Sequence, residues 1–228
     1  MITIKIPEFK YKQQIVLCNI EQQFEIGKTH GIIGLNGAGK TTFFNVLSGY
    51  LKHENCSTHF NGNRIQRNQI SHIDTDPFFY RKLTAGEFLN VFESKSNTYD
   101  EKRLSDLLKI DLNQLIEEYS TGMKKKLLLL SQIKQDKDIY ILDEPFNGLD
   151  LETNKILEVL IQILNEKSKT VFISSHILEP LLNVCHQIFL LKDQTIKKNY
   201  SQNEFTLIDK ELFGEYTQTV KEELRQIL

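Results

Sequence analysis

Over the first 33 residues, apolar and polar side chains follow the pattern of short β-strands. Residues 1–7 alternate apolar and polar side chains as a strand does, and the runs at 15–17 and 23–26 are rich in β-prone side chains. A continuous apolar run at 30–33 ends in a glycine-rich segment, after which apolar positions recur at helical spacing over 41–51. We therefore predict a β-rich N-terminal segment that ends in a strand, a glycine-rich loop and a helix.

The middle of the chain changes from strand-like to helical patterning. Residues 56–75 are β-prone and contain a turn signal at 61–63. From 84 to 135 the apolar positions have helical spacing and fall on three faces. These faces are Phe88, Leu89, Val91 and Phe92, then Leu104, Leu107 and Leu108, then residues 127–133. The pattern predicts a helical subdomain over approximately residues 80–135.

The pattern of the last third is typical of a parallel α/β fold. Residues 139–142 and 170–173 are unbroken apolar or β-branched runs, which indicate strands buried on both faces. Between them, residues 153–166 have the spacing of a helix with one apolar face. Strand, helix and strand in this order predict a parallel sheet. Residues 209–228 have the pattern of an amphipathic C-terminal helix.

Composition narrows the class of protein. The 228 residues are enough for one large domain or two small ones. The net charge of −2 supplies no field that would attract nucleic acid, so we expect no nucleic-acid partner. The three cysteines, Cys18, Cys56 and Cys185, are odd in number and widely spaced, which suits a reducing cytoplasm and argues against a disulfide framework.

Nothing in the sequence has the length of a membrane span. The N-terminal residues lack the apolar core of a signal peptide, and no window approaches the roughly 18 apolar residues needed to cross a bilayer. If the protein works at a membrane, we expect another chain to cross it.

The glycine-rich segment has the sequence of a phosphate-binding loop. It consists of Gly34, Leu35, Asn36, Gly37, Ala38, Gly39, Lys40 and Thr41, and Thr42 follows it. Glycines allow successive backbone N–H groups to turn toward phosphate oxygens, and the helix that follows adds the positive end of its dipole. Lys40 would place a point charge on the β- and γ-phosphates, and the Thr41 hydroxyl would ligate Mg²⁺. The loop therefore predicts binding of ATP with Mg²⁺.

Two acidic residues follow the apolar run at 139–142. Asp143 and Glu144 would lie at the carboxyl end of a buried parallel strand, where ligands of such folds bind. Asp143 would hold Mg²⁺ through water, and Glu144 would act as general base on the attacking water. These acids add hydrolysis to the predicted nucleotide binding.

Several further motifs resemble those of ATP-binding-cassette (ABC) proteins, specifically the nucleotide-binding subunit of an ABC transporter. Residues 119–123, Tyr-Ser-Thr-Gly-Met, resemble the family signature Leu-Ser-Gly-Gly-Gln. Residues 147–150 resemble the D-loop, and residues 174–176 resemble the strand end that holds the switch histidine. Tyr11 occupies the place of an aromatic ring that stacks on adenine. The resemblance covers approximately residues 1–200.

The resemblance implies a fold and a set of partners. The fold is α/β, a P-loop NTPase parallel-sheet core with an N-terminal antiparallel β subdomain and an inserted α-helical subdomain, in a single domain over residues 1–228. Ser120, Thr121 and Gly122 would face the γ-phosphate held by a second ATP-binding subunit, in a homodimer or heterodimer. Asp150 would join the two subunits. Integral-membrane permease subunits are the other implied partners, with this chain peripheral on the cytoplasmic face of the cell membrane.

The same resemblance assigns a role to His176. This side chain would hydrogen-bond the γ-phosphate and orient the attacking water together with Glu144. The two residues are thus the predicted catalytic pair.

The sequence departs from the family pattern in two places. Thr121 replaces the first glycine of the signature, a form that resembles bacterial exporter subunits. The three lysines at 124–126 suit either a solvated helix face or added positive charge near the partner's nucleotide. At the position of the Q-loop glutamine the sequence has Thr75, and Asp74 or Asp76 are alternatives as a metal-binding residue.

Just beyond the Q-loop position, the aromatic residues 78–80 suit core packing or a groove for a permease helix.

Two alternative functions differ in class from a transport ATPase. A soluble ABC-type ATPase that acts as an assembly or regulatory factor would share the site but lack a permease. Many such proteins have two cassettes or long helical insertions, and this chain has one cassette. A P-loop kinase for a small molecule would leave Ser120, Gly122 and His176 without a role.

Overall fold

The computed structural model describes residues 1–73, 79–80, 82–94 and 99–227. Its strands are β1 (Ile2–Tyr11), β2 (Gln14–Phe24), β3 (Thr29–Ile33), β4 (Ser57–Phe60), β5 (Asn63–Arg64), β6 (Ile70–Ile73), β7 (Ile139–Leu142), β8 (Thr170–Ser175), β9 (Gln187–Lys192) and β10 (Thr195–Ser201). Its α-helices are α1 (Lys40–Leu47), α2 (Ala85–Leu89), α3 (Glu101–Leu107), α4 (Thr121–Lys134), α5 (Leu151–Glu166), α6 (Glu179–Val184) and α7 (Ile208–Ile227). Short 3₁₀ turns lie at 67–69, 116–118 and 202–207.

A six-stranded sheet forms the centre of the molecule, in the order β10-β9-β3-β8-β7-β6. The strands from β9 to β6 pair in parallel, and β10 joins the edge antiparallel to β9. All residues of β3, β7 and β8 are buried, as their apolar sequences predict for strands covered on both faces. The carboxyl ends of β3, β7 and β8 therefore lie at one edge of the sheet.

A second sheet of four strands, in the order β2-β1-β4-β5, contains the N-terminal residues. Its strands are antiparallel, and β1 alternates buried and accessible positions, with Ile2, Ile4 and Ile6 inward. The two β-prone runs at 15–17 and 23–26 belong largely to the single long strand β2. Together, the two sheets confirm the predicted parallel core with an antiparallel β subdomain.

The apolar core lies on both faces of the central sheet. Along β7, Ile139 and Ile141 belong to a cluster that includes side chains of β1, β2 and α1. Tyr140 and Leu142 point to the other face, where they belong to a cluster that includes side chains of α5, α6 and α7. The sheet is therefore covered by the N-terminal strands and α1 on one side and by α5, α6 and α7 on the other.

The region from 84 to 135 is helical in separate pieces. The helices α2, α3 and α4 each begin at a residue whose side chain accepts a hydrogen bond from the first turn, namely Thr84, Asp100 and Ser120. Their side chains share a third apolar cluster, which includes Leu89, Leu108, Ile116 and Leu127. Spacing groups Val91 and Leu107 with the apolar faces of this region, but both are exposed.

Helix boundaries differ from the sequence prediction for local reasons. The first helix ends at Leu47 and does not reach residue 51, because Gly49 has a left-handed φ of 70° just after the cap at Ser48. Helix α5 begins two residues earlier than predicted, because Asp150 caps it. The C-terminal helix begins at Ile208 and ends at Ile227, close to the predicted limits. Within the described ranges, no helix combines the length and apolar character needed to cross a membrane.

Candidate functional site

The phosphate loop connects the end of β3 to the start of α1. Gly34 follows the last residue of β3, and a Cβ atom there would lie 2.5 Å from the Leu191 carbonyl oxygen. Gly39 has a φ of 101° and precedes the first residue of α1 without a side-chain cap. Both positions therefore require glycine, one for space and the other for backbone conformation. The first amide groups of α1 are left available for an anion.

The Lys40 side chain extends back along this loop. It is only 7% exposed, and its Nζ donates to the carbonyl oxygens of Gly34 at 2.8 Å and Leu35 at 3.3 Å. The same ammonium lies 3.4 Å from Glu144 Oε1. The loop cation and Glu144 are thus brought together, although they are 104 positions apart along the chain.

The Asp143 carboxylate, just after β7, connects helix α1 to strand β8. Thr41 donates its hydroxyl to Asp143 Oδ2 at 2.6 Å, and Ser174 donates to Oδ1 in a very short hydrogen bond. The Ser174 hydroxyl also accepts a bond of 2.8 Å from the Glu144 backbone N–H. The sequence motif placed Ser174 beside His176, but its contact with both acids was not foreseen.

The Glu144 carboxylate lies between two cationic or titratable partners. Its Oε2 is 2.9 Å from His176 Nδ1, and its Oε1 faces Lys40. The side chain is 13% exposed, so water retains limited access to it. A carboxylate held in this way, beside a phosphate loop, has the geometry of a general base for an attacking water.

The predicted signature residues begin α4. Ser120 is the N-cap, and its hydroxyl accepts a hydrogen bond from Met123 N at 3.2 Å. Thr121 is exposed at the first position of the helix. A Cβ on Gly122 would lie 3.1 Å from the Gly148 carbonyl oxygen, so this glycine permits close contact with the loop that follows Glu144.

Asp150 caps α5 within this chain. Its Oδ1 accepts hydrogen bonds from the Thr153 amide at 2.8 Å and hydroxyl at 2.9 Å, and its Oδ2 lies 3.2 Å from Lys126 Nζ. These bonds from Thr153, together with the Lys126 ammonium, hold the pKa of Asp150 well below its usual range. Sequence reasoning missed the capping role, which the Asp-x-x-Thr spacing would have signalled.

Two of the three lysines after the signature, Lys125 and Lys126, contact groups of their own chain. Lys126 pairs with Asp150, and Lys125 donates to the carbonyl oxygens of Asn147 at 2.6 Å and Glu144 at 3.3 Å. Burial lowers the pKa of Lys125, with the charges of Glu144 and Asp143 acting in the opposite direction. These two side chains contact their own chain, so a fully solvated helix face is wrong for both.

Tyr11 lies at the tip of the β1–β2 hairpin. It pairs with Gln14, is 48% exposed, and contacts the Phe9 ring edge-on at a centroid distance of 5.3 Å. Farther along the hairpin, Leu17 lies against the phosphate loop, since a Cβ on Gly39 would be 2.9 Å from Leu17 Cδ2. An accessible aromatic ring is therefore placed on the strand pair that packs against the loop.

The predicted Q-loop position lies outside the described residues, together with Thr75 and its alternatives Asp74 and Asp76. Of the aromatic residues that follow, Phe79 packs against Phe88 at a ring distance of 5.3 Å.

A phosphate loop at the end of one parallel strand and an Asp–Glu pair at the end of another define a P-loop ATPase. A family model described as ABC transporter matches residues 17–147, more than half of the chain. The chain therefore belongs to the ABC transporter family.

Known relatives identify the subunit more closely. The ABC-type transporter ATP-binding protein EcsA of Bacillus subtilis is 30% identical over 245 aligned positions, covering 98% of each chain. The lantibiotic transport ATP-binding protein SrtF of Streptococcus pyogenes is 28% identical over 213, covering 90% of this chain and 93% of its own. A solved ATP-binding subunit of an ABC transporter has a TM-score of 0.82 at 25% identity, covering 95% and 99%. The protein is an ATP-binding subunit of an ABC transporter and an ATPase. The alternative function, an ABC-type ATPase that acts as an assembly or regulatory factor without a permease, is not favoured.

Proposed function

We propose that this chain hydrolyses ATP at a site completed by a second ATP-binding subunit, and so drives export through separate permease subunits in the cell membrane. The observation that carries the proposal is the Glu144 carboxylate, which has Lys40 on one oxygen and His176 on the other. A carboxylate placed between a phosphate-binding lysine and a histidine suits removal of a proton from water that attacks the γ-phosphate.

Each proposed role follows from placement. The N–H groups of the loop from Gly34 to Thr42, including Asn36, Gly37, Ala38 and Gly39, would surround the phosphates, and Lys40 would leave its loop carbonyls for the β- and γ-oxygens. Glu144 would accept the proton of the attacking water, while His176 would orient that water and bond the γ-phosphate. Tyr11 would stack on the adenine ring.

The residues near Asp143 fit a magnesium ion. Thr41 and Asp143 bring a hydroxyl and a carboxylate to within 2.6 Å of each other, and Mg²⁺ prefers such oxygen ligands. Mg²⁺ is usually bound through one or two carboxylates together with substrate phosphates, so a single protein carboxylate is sufficient. When bound, the ion would neutralise phosphate charge.

Exposed apolar residues within or next to the site motifs support contact with a second ATP-binding subunit. Leu35 lies within the phosphate loop, Leu151 follows Asp150, and Ile177 follows His176. They are 51%, 89% and 51% exposed, and contact with a partner would remove them from water. Ser120, Thr121 and Gly122 would then face the partner's γ-phosphate, and Asp150 would lie at the contact.

The proposals that the transporter exports its substrate and that this chain lies at the membrane are inferred from the relatives and from the signature sequence. SrtF is named for lantibiotic transport, and the Tyr-Ser-Thr-Gly-Met sequence resembles exporter subunits. Permease subunits would supply the membrane spans, and this chain would bind them from the cytoplasmic face. We also propose one ABC ATPase domain over 1–228, in which the helical subdomain at 80–135 has an apolar cluster of its own.

Purification of the native complex tests the proposal. The chain, tagged at its C-terminus, is isolated in mild detergent from membranes of the source cells. We expect an integral-membrane protein in stoichiometric amount and ATP hydrolysis in the same fraction. The Lys40→Ala variant is the control, since it should retain the membrane protein and lose hydrolysis. An ATPase recovered from the soluble fraction alone would contradict the permease assignment.

A further inference from the structure

The backbone of Glu144 has an unusual conformation. Its φ of 50° lies in the left-handed region, which costs a residue with a side chain free energy unless surrounding contacts maintain it. The contact on its N–H side is Ser174, whose hydroxyl accepts at 2.8 Å. The position of the predicted base therefore depends on groups that hold the backbone N–H and carbonyl of Glu144.

The contact on the carbonyl side comes from the signature helix. Lys125, five positions after the N-cap of α4, donates from Nζ to the Glu144 carbonyl oxygen at 3.3 Å. The same ammonium donates to the Asn147 carbonyl oxygen at 2.6 Å. Asn147 N in turn donates to the Glu144 carbonyl at 3.3 Å, so Lys125 spans both ends of a single turn.

The Lys125 bonds differ from the other contacts between α4 and this loop. Lys126 pairs with the Asp150 carboxylate, which lies at the start of α5, and Gly122 meets the Gly148 carbonyl. Lys125 alone of these three touches the backbone of Glu144. Lys125 is a half-buried residue and its bond to the Glu144 carbonyl is partly buried, so that bond is screened less than one made by a surface lysine.

We propose that Lys125 is a positioning residue, which holds the Glu144 backbone from the signature helix and so fixes the direction of its carboxylate. The inference rests on the proposed role of Glu144 as general base. In each chain, Lys125 would then connect two elements directly. One is α4, which would face the nucleotide held by the partner, and the other is Glu144, which would act on the nucleotide held by the same chain. Loss of the ammonium would allow the turn 144–147 to relax and the carboxylate to leave its bonds with Lys40 and His176.

The first test compares Lys125→Met and Lys125→Arg in steady-state ATP hydrolysis. Methionine keeps most of the side-chain volume but no donor, and we expect kcat to fall about tenfold with the KM for ATP changed by less than about twofold. Arginine retains donors, and we expect it to restore at least about half of the lost activity. Lys102→Met, at an exposed position in the same helical region, is the matched control.

Unchanged kcat in Lys125→Met, or equal losses in the methionine and arginine variants, would overturn the proposal. If Lys125→Met does not fold, as judged by circular dichroism, the comparison is made with Lys125→Gln, which retains an amide donor on a shorter stem. An intermediate kcat then supports the proposal, and a kcat equal to that of the parent contradicts it.

The second test is a double-mutant cycle with Glu144→Gln in single-turnover hydrolysis. If Lys125 acts through Glu144, adding Lys125→Met to Glu144→Gln should change the residual rate by less than about twofold. A further tenfold loss would show an independent role and overturn the inference. If Glu144→Gln hydrolyses ATP at the parental rate, the general-base assignment fails. If Glu144→Gln is inactive and Lys125→Met retains full activity, the failure is confined to Lys125.

Discussion

Glu144 Oε2 and His176 Nδ1 lie 2.9 Å apart, at the ends of two neighbouring strands of the parallel sheet. Glu144 is the second residue after β7, and His176 is the first residue after β8. Because both side chains follow buried strands that pair along their length, the sheet itself sets their separation.

Glu144→Gln should retain ATP binding and lose at least about 100-fold in hydrolysis, since a general base contributes on that order. With ATP bound and not hydrolysed, the chain should form a dimer that elutes earlier in size-exclusion chromatography. Glu166→Gln, at an exposed acid at the end of α5, serves as control. Hydrolysis at the parental rate in Glu144→Gln would contradict the assignment of the base.

Lys40→Ala should weaken ATP binding by about 10- to 100-fold, because a charge-assisted hydrogen bond contributes about 1.5–3 kcal/mol. The measurement is equilibrium titration with a fluorescent ATP analogue. Lys167→Ala, at the exposed end of α5, removes the same charge far from the loop and should bind as the parent does. Equal affinities in all three proteins would rule out the phosphate-binding role of Lys40.

Gly122→Ala should reduce hydrolysis by about tenfold and leave ATP binding to the isolated chain unchanged. The added Cβ would lie 3.1 Å from the Gly148 carbonyl, so the start of α4 or the loop must shift by a few tenths of an ångström. Gly214→Ala is the matched control, since its Cβ would meet only the Lys210 side chain at 3.7 Å. Similar activities in the two variants would show that the contact tolerates the shift.

His30 should make stability depend on pH. Burial lowers the pKa of His30 from about 6.5 to about 4, with the hydrogen bond to the Glu25 carbonyl acting in the opposite direction. Above pH 6.5 neither state is protonated, and no stability is lost. Between pH 6.5 and 4 the unfolded state takes up a proton that the folded state does not. This uptake lowers the free energy of unfolding by about 1.4 kcal/mol at pH 5.5.

The measurement for His30 is the difference in unfolding free energy between pH 7.5 and pH 5.5. His30→Phe introduces a ring among Phe24, Phe172 and Phe189 and removes the titration, so it should reduce that difference by about 1.4 kcal/mol. His53→Asn, at an exposed position, should leave the difference unchanged. If the full difference in unfolding free energy persists in His30→Phe, groups other than His30 are responsible for it.

Much of the fold and the site can be predicted from the sequence, because they depend on local signals. The fully buried strands β7 and β8 are continuous apolar runs, and the phosphate loop is a contiguous segment between a strand and a helix. Because the two strands are predicted to be parallel, the sequence alone predicts that Asp143 and His176 lie at the same end of the sheet.

The parts that escape prediction depend on contacts between distant segments. The roles of Ser174 and Lys125 depend on side chains that meet backbone groups more than fifteen positions away, and no spacing rule encodes such bonds. Asp150 is a different case, because its capping signal is local: it stands three positions before Thr153, the spacing of a helix cap. The exposure of Val91 and Leu107 shows that helical spacing alone does not determine which face is buried.

The central strand β3 is hydrogen-bonded to β8 on one edge and to β9 on the other, and all five of its residues are buried. In amide hydrogen-exchange terms, β3 should therefore open only with global unfolding, whereas the short helices α2 and α3 should open in smaller fluctuations. Because the phosphate loop continues directly from Ile33, the segment that would hold the triphosphate is attached to a strand that should exchange slowly. The helical region can then loosen and re-form while this segment stays in place.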